Sequence, residues 1–255
     1  MASAKDIILR PIDAKTARDL VKRVHYSGRV VNNSQLHIGV FLNGKLEGAM
    51  QFGPPMDKRK LLHLVADTPW NGMIELNRMA FTDALPRNSE SRAIAIAMRL
   101  LRKHKPNLQW VVSFSDATAC GDGTIYRASG FLLTGIRKNT QVYLSPCGTR
   151  TETKMTLTKD PAHMRDGKAS MSALVAEGWT ALPGFQLRYV YLLDPTARER
   201  LATPVLPFSE IARRGASMYR GQKPPTQQPP RAGSDPDDTT AYPAVEGGAT
   251  PTPAL

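Results

Sequence analysis

The chain has 255 residues, 41% of them hydrophobic, and a formal net charge of +12 at pH 7. This length allows one large domain or two small ones, with enough apolar residues for a core. The charge indicates a polyanionic partner, although a generically basic soluble protein fits the composition equally well. Two cysteines exclude a disulfide framework and a cysteine-based zinc site. Because the N-terminus is polar and no apolar run reaches bilayer length, we expect a cytoplasmic protein without membrane contact.

The N-terminal part predicts a strand, a helix and a hairpin. Residues 6–12 are typical of an edge strand, and Asp13 is placed to cap the helix that follows. The hairpin covers residues 36–52, and Asn43-Gly44 at its centre is the strongest short-range turn signal in the chain.

The strand predicted at residues 73–81 carries an arginine on an otherwise apolar face. Period-two alternation places Arg78 on the same face as Ile74, Leu76 and Ala80. A guanidinium among apolar side chains is costly unless it has an anionic partner. Either a structural pairing with a buried carboxylate or a role in binding or catalysis accounts for it.

A helix at about residues 89–105 and a buried strand at 110–114 follow, so this part of the chain predicts a βαβ unit. The turns after parallel strands can carry chemistry. Backbone N–H groups at Asn88 and Ser89 would face outward at the helix start, where they and the helix dipole favour an anionic ligand.

The C-terminal half is less regular. It predicts, in order, a short helix after Gly123, a pair of strands at 130–135 and 141–144, a strand at 152–158, a helix at 168–177 and a last strand at 187–193. From residue 221 onward the chain is rich in Pro, Gly, Thr and Asp, with almost nothing to bury, which predicts disorder.

Five short segments occur in an order that resembles the phage Mom family of DNA-modification proteins. They are residues 25–27 (HYS), 75–79 (ELNRM), 86–91 (PRNSES), 112–116 (VSFSD) and 123–128 (GTIYRA). The resemblance covers about residues 10–145. It implies a transferase that converts adenine in double-stranded DNA to its N6-carbamoylmethyl form and so shields phage DNA from restriction; a phage-encoded protein would work in the host cytoplasm.

The order of elements is similar to the GNAT acyltransferase fold, an α+β fold with a mixed β-sheet flanked by helices. There the cofactor lies between two splayed parallel strands, here 73–81 and 110–114. The glycine-rich signature of ordinary acetyl-CoA sites is absent, since residues 87–92 read RNSESR. We expect a GNAT-like catalytic domain over residues 1–205 and a basic, then Pro-rich, disordered tail over 206–255.

The resemblance also implies the site residues, which are His25, Tyr26, Arg78, Ser91 and Asp116. Tyr126 joins them, because GNAT enzymes often use a tyrosine after this strand as the acid for the leaving thiolate; helix packing is its simpler role. Acetyl-CoA or a related acyl donor would be bound by the segment that contains Arg87, Asn88, Ser89 and Ser91. Capping of the helix is an alternative role for these residues, and the simpler one for Asn88.

Transfer to adenine requires catalysis, because the exocyclic amine of adenine is a poor nucleophile. A site must orient it, activate the electrophile and take up a proton. His25 is suited to proton transfer near neutral pH, and Arg78 to neutralising an oxyanion or a carboxylate on the donor. The family has been associated with iron, and His25, Tyr26 and Asp116 are the candidate metal ligands.

DNA binding requires basic surface and, for a base in a duplex, base flipping. The candidate phosphate contacts are Lys58, Arg59, Lys60, Arg92, Arg137 and Lys138. Two other functions stay open at this point: a GNAT N-acetyltransferase for a protein or small amine, and a DNA-binding protein without enzymatic activity.

Overall fold

The computed structural model describes residues 2–117, 121–139, 141–148, 151–165, 168–169 and 171–216. Its strands are β1 (Ile8–Pro11), β2 (Leu36–Leu42), β3 (Lys45–Gly53), β4 (Met73–Phe81), β5 (Trp110–Asp116), β6 (Leu132–Lys138), β7 (Val142–Leu144), β8 (Thr151–Thr153), β9 (Met164–Arg165), β10 (Lys168–Ala169), β11 (Thr180–Ala181) and β12 (Phe185–Leu192). Its α-helices are α1 (Ala14–Val24), α2 (Arg59–Leu62), α3 (Ser89–His104), α4 (Thr124–Ala128), α5 (Lys154–Leu157), α6 (Met171–Ala176) and α7 (Ser209–Arg213). Within these described ranges no helix is long and apolar enough to cross a membrane.

The main sheet is mixed and has seven strands in the order β1-β2-β3-β4-β5-β12-β6. The predicted hairpin is confirmed as β2 and β3, and its turn residues Asn43 and Gly44 both have positive φ. Buried side chains of α1 and of α3 belong to separate clusters, one on each face of the sheet. The predicted α+β class, a mixed sheet flanked by helices, is confirmed.

The predicted βαβ unit is β4-α3-β5, and it is the part of the fold that builds the site. Helix α3 begins at Ser89 and ends at His104, as expected from its apolar stripe. Strands β4 and β5 pair in parallel only from Met73 to Glu75 on β4, although β4 continues to Phe81. The two strands therefore splay apart beyond Glu75, which confirms the GNAT-like arrangement expected for this pair.

Strand β12 lies in the interior of the sheet although it comes late in the chain. It pairs antiparallel with β5 on one side and with β6 on the other. The two strands predicted at 130–135 and 141–144 are confirmed as β6 and β7, but they lie in different sheets, because β7 belongs to a separate sheet in the order β11-β7-β8. The periodicity of a strand gives its faces but not its partners.

The C-terminal part also differs in detail from the prediction. The strand expected at 152–158 is the short strand β8 followed by helix α5, and the helix expected at 168–177 is reduced to α6. Helix α7 follows within the segment assigned to the tail, and Ile211 on it is buried in the core. The domain boundary at residue 205 stays a prediction, and the disorder expected from residue 221 concerns residues outside the described ranges.

Candidate functional site

A β-bulge in β4 decides where Arg78 points. The pairing of β3 with β4 skips Asn77. Before the bulge, Leu76 packs into the core cluster that contains α3; after it, Ala80 packs into the cluster that contains α1. The prediction that Arg78 shares an apolar face with both residues is therefore wrong, because the alternation breaks at Asn77.

The bulge brings Glu75 and Arg78 to the same face of the sheet. Residues three apart on a regular strand point to opposite faces, and one extra residue between them removes that difference. Burial raises the pKa of Glu75 to about 7, and the nearby positive charge of Arg78 opposes the rise. Glu75 also forms the last parallel pair of β4 with β5, so this carboxyl lies where the two strands begin to separate.

Two backbone carbonyls hold the guanidinium of Arg78. Its Nε donates to the carbonyl of Arg29 at 3.0 Å, and Nη1 donates to the carbonyl of Asn77 at 2.6 Å. Burial lowers the pKa of Arg78, while Tyr26 and Glu75 favour its charged form. An arginine remains protonated in such surroundings, so the site holds a fixed, partly desolvated positive charge.

Arg78 lines a cavity of about 340 Å³. This volume lies within the range of small-molecule sites, roughly 300–1,000 Å³. Residues from the end of α1, the bulge of β4, the end of β5 and the start of α4 line it: His25, Tyr26, Asn77, Arg78, Met79, Phe114, Ser115, Gly121, Asp122, Gly123, Thr124, Ile125 and Tyr126.

His25 and Tyr26 lie at this cavity, immediately after α1. Their ring centroids are 4.3 Å apart, and Tyr26 is exposed. Burial, together with the charge of Arg78, lowers the pKa of His25 to about 4, so the imidazole is neutral at neutral pH. The backbone N–H of Ser27 donates to Nδ1, which assigns the imidazole proton to Nε2. Its resting role is therefore that of a neutral hydrogen-bond donor.

Tyr126 anchors helix α4 against the splayed strands. The hydroxyl of Ser113 on β5 lies 2.8 Å from the phenolic oxygen of Tyr126 and 3.1 Å from the carbonyl of Leu76 on β4. Beyond the last parallel pair, Glu75 with Val112, the backbones of the two strands no longer pair. The side chain of Ser113 instead donates to the carbonyl of Leu76 and so still connects β5 to β4. The ring of Tyr126 stacks on Tyr189, with centroids 5.1 Å apart. These contacts show the predicted packing role, and they place the phenol at the cavity.

Glycine at position 123 permits this packing. A side chain at Gly123 would approach the ring of Tyr189 to 2.6 Å, and its φ of +78° also favours glycine. The carboxylate of Asp122 accepts hydrogen bonds from the backbone and hydroxyl of Thr124, which fixes the start of α4.

Asp116 ends β5, and the residues that line the cavity do not include it. Its carboxylate accepts a hydrogen bond from the side-chain amide of Asn139 at 3.2 Å. Across the described parts of the chain, no three His, Cys, Asp or Glu side chains converge as a metal site would require. Of the three predicted iron ligands, His25 and Tyr26 line the cavity and Asp116 does not, so the iron site stays a prediction and the mechanism below does not use it.

The predicted donor-binding segment opens α3. Arg87 and Asn88 are exposed, and Asn88 has a positive φ of 69°. Ser91 donates to the carbonyl of Asn88 at 3.2 Å, a bond within the helix start. Ser89 is fully buried, and its hydroxyl has no hydrogen-bond partner among the described residues. The exposed Arg87 and Asn88, with the backbone N–H groups beside them, are the groups accessible to an anion.

The predicted DNA contacts occupy three separate elements. Lys58, Arg59 and Lys60 lie in and before α2, Arg92 lies on α3, and Arg137 and Lys138 end β6. Lys60 is paired with Asp57 at 2.8 Å, and Arg92 donates to the carbonyl of Lys5 at 3.4 Å. Arg59, Arg137 and Lys138 are exposed.

Sequence reasoning missed two contributors to this site. Glu75 was part of a recognised motif, but its spacing from Arg78 gave no sign of the bulge. The other is Arg29, whose carbonyl holds Arg78 and whose guanidinium forms an ion pair with Glu152 and donates to Thr153 at 2.8 Å. The C-terminal sheet therefore supports Arg78 through Arg29.

A family model described as the Mom protein family matches residues 6–210, well beyond the segments that carried the resemblance. A curated relative, the methylcarbamoylase mom of Escherichia phage Mu, is 35% identical over 201 residues. That alignment covers 78% of this chain and 81% of the relative.

Solved structures of acetyltransferases also match. One is a Bacillus subtilis acetyltransferase in complex with CoA, at 10% identity and a TM-score of 0.40, covering 73% of this chain and 97% of that one. Another is a GNAT family acetyltransferase from Elizabethkingia anophelis with acetyl-CoA bound, at 14% identity and a TM-score of 0.39, covering 73% of this chain and 98% of that one.

Proposed function

The chain belongs to the Mom protein family, and we propose that it is a transferase that places an acyl-derived carbamoylmethyl group on N6 of adenine in DNA. The modified DNA would resist restriction endonucleases. The relative from phage Mu is named a methylcarbamoylase, and this chain carries a compact cavity suited to group transfer.

The observation that carries the proposal is the fixed charge of Arg78 in the cavity lining, on the same face of β4 as Glu75 and near enough to affect the pKa of that carboxyl, although Glu75 is not itself a lining residue. When the amine of adenine attacks the carbonyl carbon of a thioester donor, an N–C bond forms, the nitrogen loses a proton to a base and negative charge develops on the carbonyl oxygen. The C–S bond then breaks, and Tyr126 is the candidate acid for the leaving thiolate. A carboxyl with a pKa of about 7 is half ionised near neutral pH, which suits a general base. The fixed charge of Arg78 stabilises the developing oxyanion in a site partly shielded from water.

The remaining cavity residues orient the base. The exposed ring of Tyr26 offers an aromatic face for a base flipped out of the duplex. The Nε2–H of neutral His25 is a donor for a ring nitrogen of adenine. Asn77 also lines the cavity; its Oδ1 accepts a hydrogen bond from the hydroxyl of Ser34 at 3.0 Å, and its amide N–H groups would donate to a ring nitrogen of adenine.

The acyl donor would be acetyl-CoA or a related compound; because the carbamoylmethyl group contains an amide nitrogen, its formation requires a nitrogen donor in addition to an acetyl group. Arg87 and Asn88 at the start of α3 would bind its phosphates, because this helix is 16 residues long and its dipole favours anions at that end. The absence of the glycine-rich signature means that side chains contribute more to this binding than in ordinary acetyl-CoA sites.

The test is a nucleoside analysis of cellular DNA. DNA from Escherichia coli that expresses wild type, Arg78→Ala or Arg99→Ala is digested to nucleosides and analysed by mass spectrometry. We expect carbamoylmethyl-deoxyadenosine with wild type and with Arg99→Ala, a matched arginine deletion on the exposed face of α3. Arg78→Ala should abolish it.

Restriction digestion of the same DNA gives a second readout, with protection expected only where the modified nucleoside is present. Unmodified deoxyadenosine with wild type and Arg78→Ala alike would refute the proposal. Acetyl transfer to a protein or small amine, with unchanged DNA, would establish an N-acetyltransferase instead.

A further inference from the structure

A second and larger cavity, of about 840 Å³, lies at the start of β4 and the end of α3, where Met73, Ile74 and Lys105 line it. We call it the Trp70 groove and define it by six of its lining residues, which are Met56, Lys58, Arg59, Trp70, Lys105 and Asn107. It shares no lining residue with the cavity at Arg78 among the residues the structure describes. The groove is therefore a separate binding feature.

An exposed tryptophan distinguishes this groove. Trp70 is 55% exposed, whereas Trp110 and Trp179 are buried. The neighbouring Met56 is 88% exposed. Large apolar side chains held open to water in a concave surface mark interaction sites more often than packing positions.

The groove is also cationic. Lys58, Arg59 and Lys105 line it, and the Nζ of Lys58 lies 5.0 Å from the ring centroid of Trp70. The carboxylate of Asp57 in the lining is paired with Lys60 at 2.8 Å, which reduces its repulsion of an anion. An open aromatic ring surrounded by cations is the combination that binds unpaired nucleotides, with stacking for the base and positive charge for the phosphates.

The position of the groove favours DNA over the acyl donor as its ligand. Lys105 follows the C-terminus of α3, a helix of 16 residues and so ~24 Å long, whereas the donor is proposed to bind at its N-terminus. Along β4, the groove reaches Ile74 and the cavity begins at Asn77, a separation of ~10 Å. A few nucleotides of one DNA strand can span a distance of this size.

We propose that the Trp70 groove binds a nucleotide that flanks the target adenine on the same DNA strand, with its base stacked on Trp70 and its phosphates at Lys58, Arg59 and Lys105. The side-chain amide of Asn107, which donates to the carbonyl of Asn71 at 3.0 Å, lies beside this base and is placed to contact its edge. The inference rests on the proposed DNA substrate. It adds a second contact that holds the strand while the adenine occupies the cavity.

The fluorescence of Trp70 reports on stacking directly. A single-stranded oligodeoxynucleotide of about 10 nucleotides is titrated into the full-length protein, with Trp70→Phe as the variant that removes this signal and retains an aromatic ring. We expect quenching of wild-type emission that Trp70→Phe lacks. An abasic oligonucleotide of equal length and charge should not quench, since it offers phosphates without bases.

Affinity is then measured by fluorescence anisotropy of a labelled oligonucleotide. Trp70→Ala should weaken binding by about 5- to 100-fold, as expected for the loss of one base–aromatic stack, and Trp70→Phe by much less. Wild-type affinity in Trp70→Ala, or equal quenching by the abasic oligonucleotide, would overturn the inference. Quenching by CoA but not by the oligonucleotide would also overturn it, because the groove would then bind the donor.

These outcomes are separable from a failure of the proposed function. Oligonucleotide quenching in a protein whose expression leaves deoxyadenosine unmodified would support the groove and refute the transferase activity on adenine. Modified deoxyadenosine together with no quenching would support the activity and refute the groove.

Discussion

The cavity at Arg78 and the Trp70 groove lie along one strand, yet they hold their charges differently. Arg78 lines the cavity and Glu75 lies next to the lining residues; both are half-buried, and each affects the pKa of the other. In the groove, Arg59 is exposed, and so is more than half of Trp70. Buried charges are strong and fixed, which suits chemistry, whereas accessible ones suit reversible contact with a polyanion. Variants of the cavity should therefore change the rate, and variants of the groove should change DNA binding.

Glu75→Gln is expected to have the largest effect on the rate. The amide cannot accept the proton of the attacking amine, so the modified nucleoside should accumulate about 10²- to 10⁴-fold more slowly after induction. Oligonucleotide affinity measured by anisotropy should not change, because the groove is intact. A loss of affinity equal to the loss of rate would remove the distinction between the two regions.

The same variant should be more stable than wild type at alkaline pH. The folded pKa of Glu75, about 7, lies above its ordinary value of 4.5, so the stability that its protonated form gives is full below pH 4.5 and lost as pH rises through 7. Glutamine carries no such charge. Urea unfolding should show Glu75→Gln gaining about 2–3 kcal/mol over wild type between pH 5 and pH 8. Glu199→Gln, at an exposed site, should show no such gain.

Arg78→Lys keeps a positive charge but removes the planar fork held by two carbonyls. We expect the rate of adenine modification to fall about 10²- to 10³-fold, as for the loss of an oxyanion donor. Oligonucleotide quenching of Trp70 should stay within about twofold of wild type. Retention of the full rate would show that charge alone, without the geometry set by Arg29, is sufficient.

The sequence predicts the parts of this fold that depend on neighbouring residues. The hairpin follows from Asn43-Gly44, and α3 follows from its apolar stripe and the proline after it. The place of β12 between β5 and β6 is set by contacts between distant segments, which periodicity does not report.

The site was predictable in its residue types but not in its geometry. Motifs placed His25, Tyr26, Arg78 and Tyr126 together, and the cavity contains all four. Asp116 lies outside the lining, and its carboxylate accepts a hydrogen bond from Asn139. A single skipped residue in β4 reverses the faces of everything after it, and no residue type marks that position.

Glu152→Gln tests whether the C-terminal sheet belongs to the cavity. It removes the ion pair that holds Arg29, whose carbonyl orients Arg78. A small displacement of a catalytic group can cost up to about 100-fold, and for this indirect contact we expect about a tenfold slower modification. The rate should fall without a change in oligonucleotide affinity, and double substitution with Arg29→Ala should add little, because both changes break the same contact. Additive losses would mean that the two residues act separately.

Lys58→Ala should have the smallest effect, and one confined to binding. If this lysine contacts a phosphate, its loss weakens binding uniformly across sequences and reduces the slope of log affinity against log salt by about 1. The modification rate at saturating DNA should not change, because Lys58 lies outside the cavity. Lys45→Ala, an exposed lysine at the hairpin of β2 and β3, is the matched control and should leave the slope unaltered. An unchanged slope in Lys58→Ala would show that Lys58 does not contact a phosphate, so that stacking on Trp70 acts without it. A lower modification rate at saturating DNA would show that the groove contributes to the chemical step.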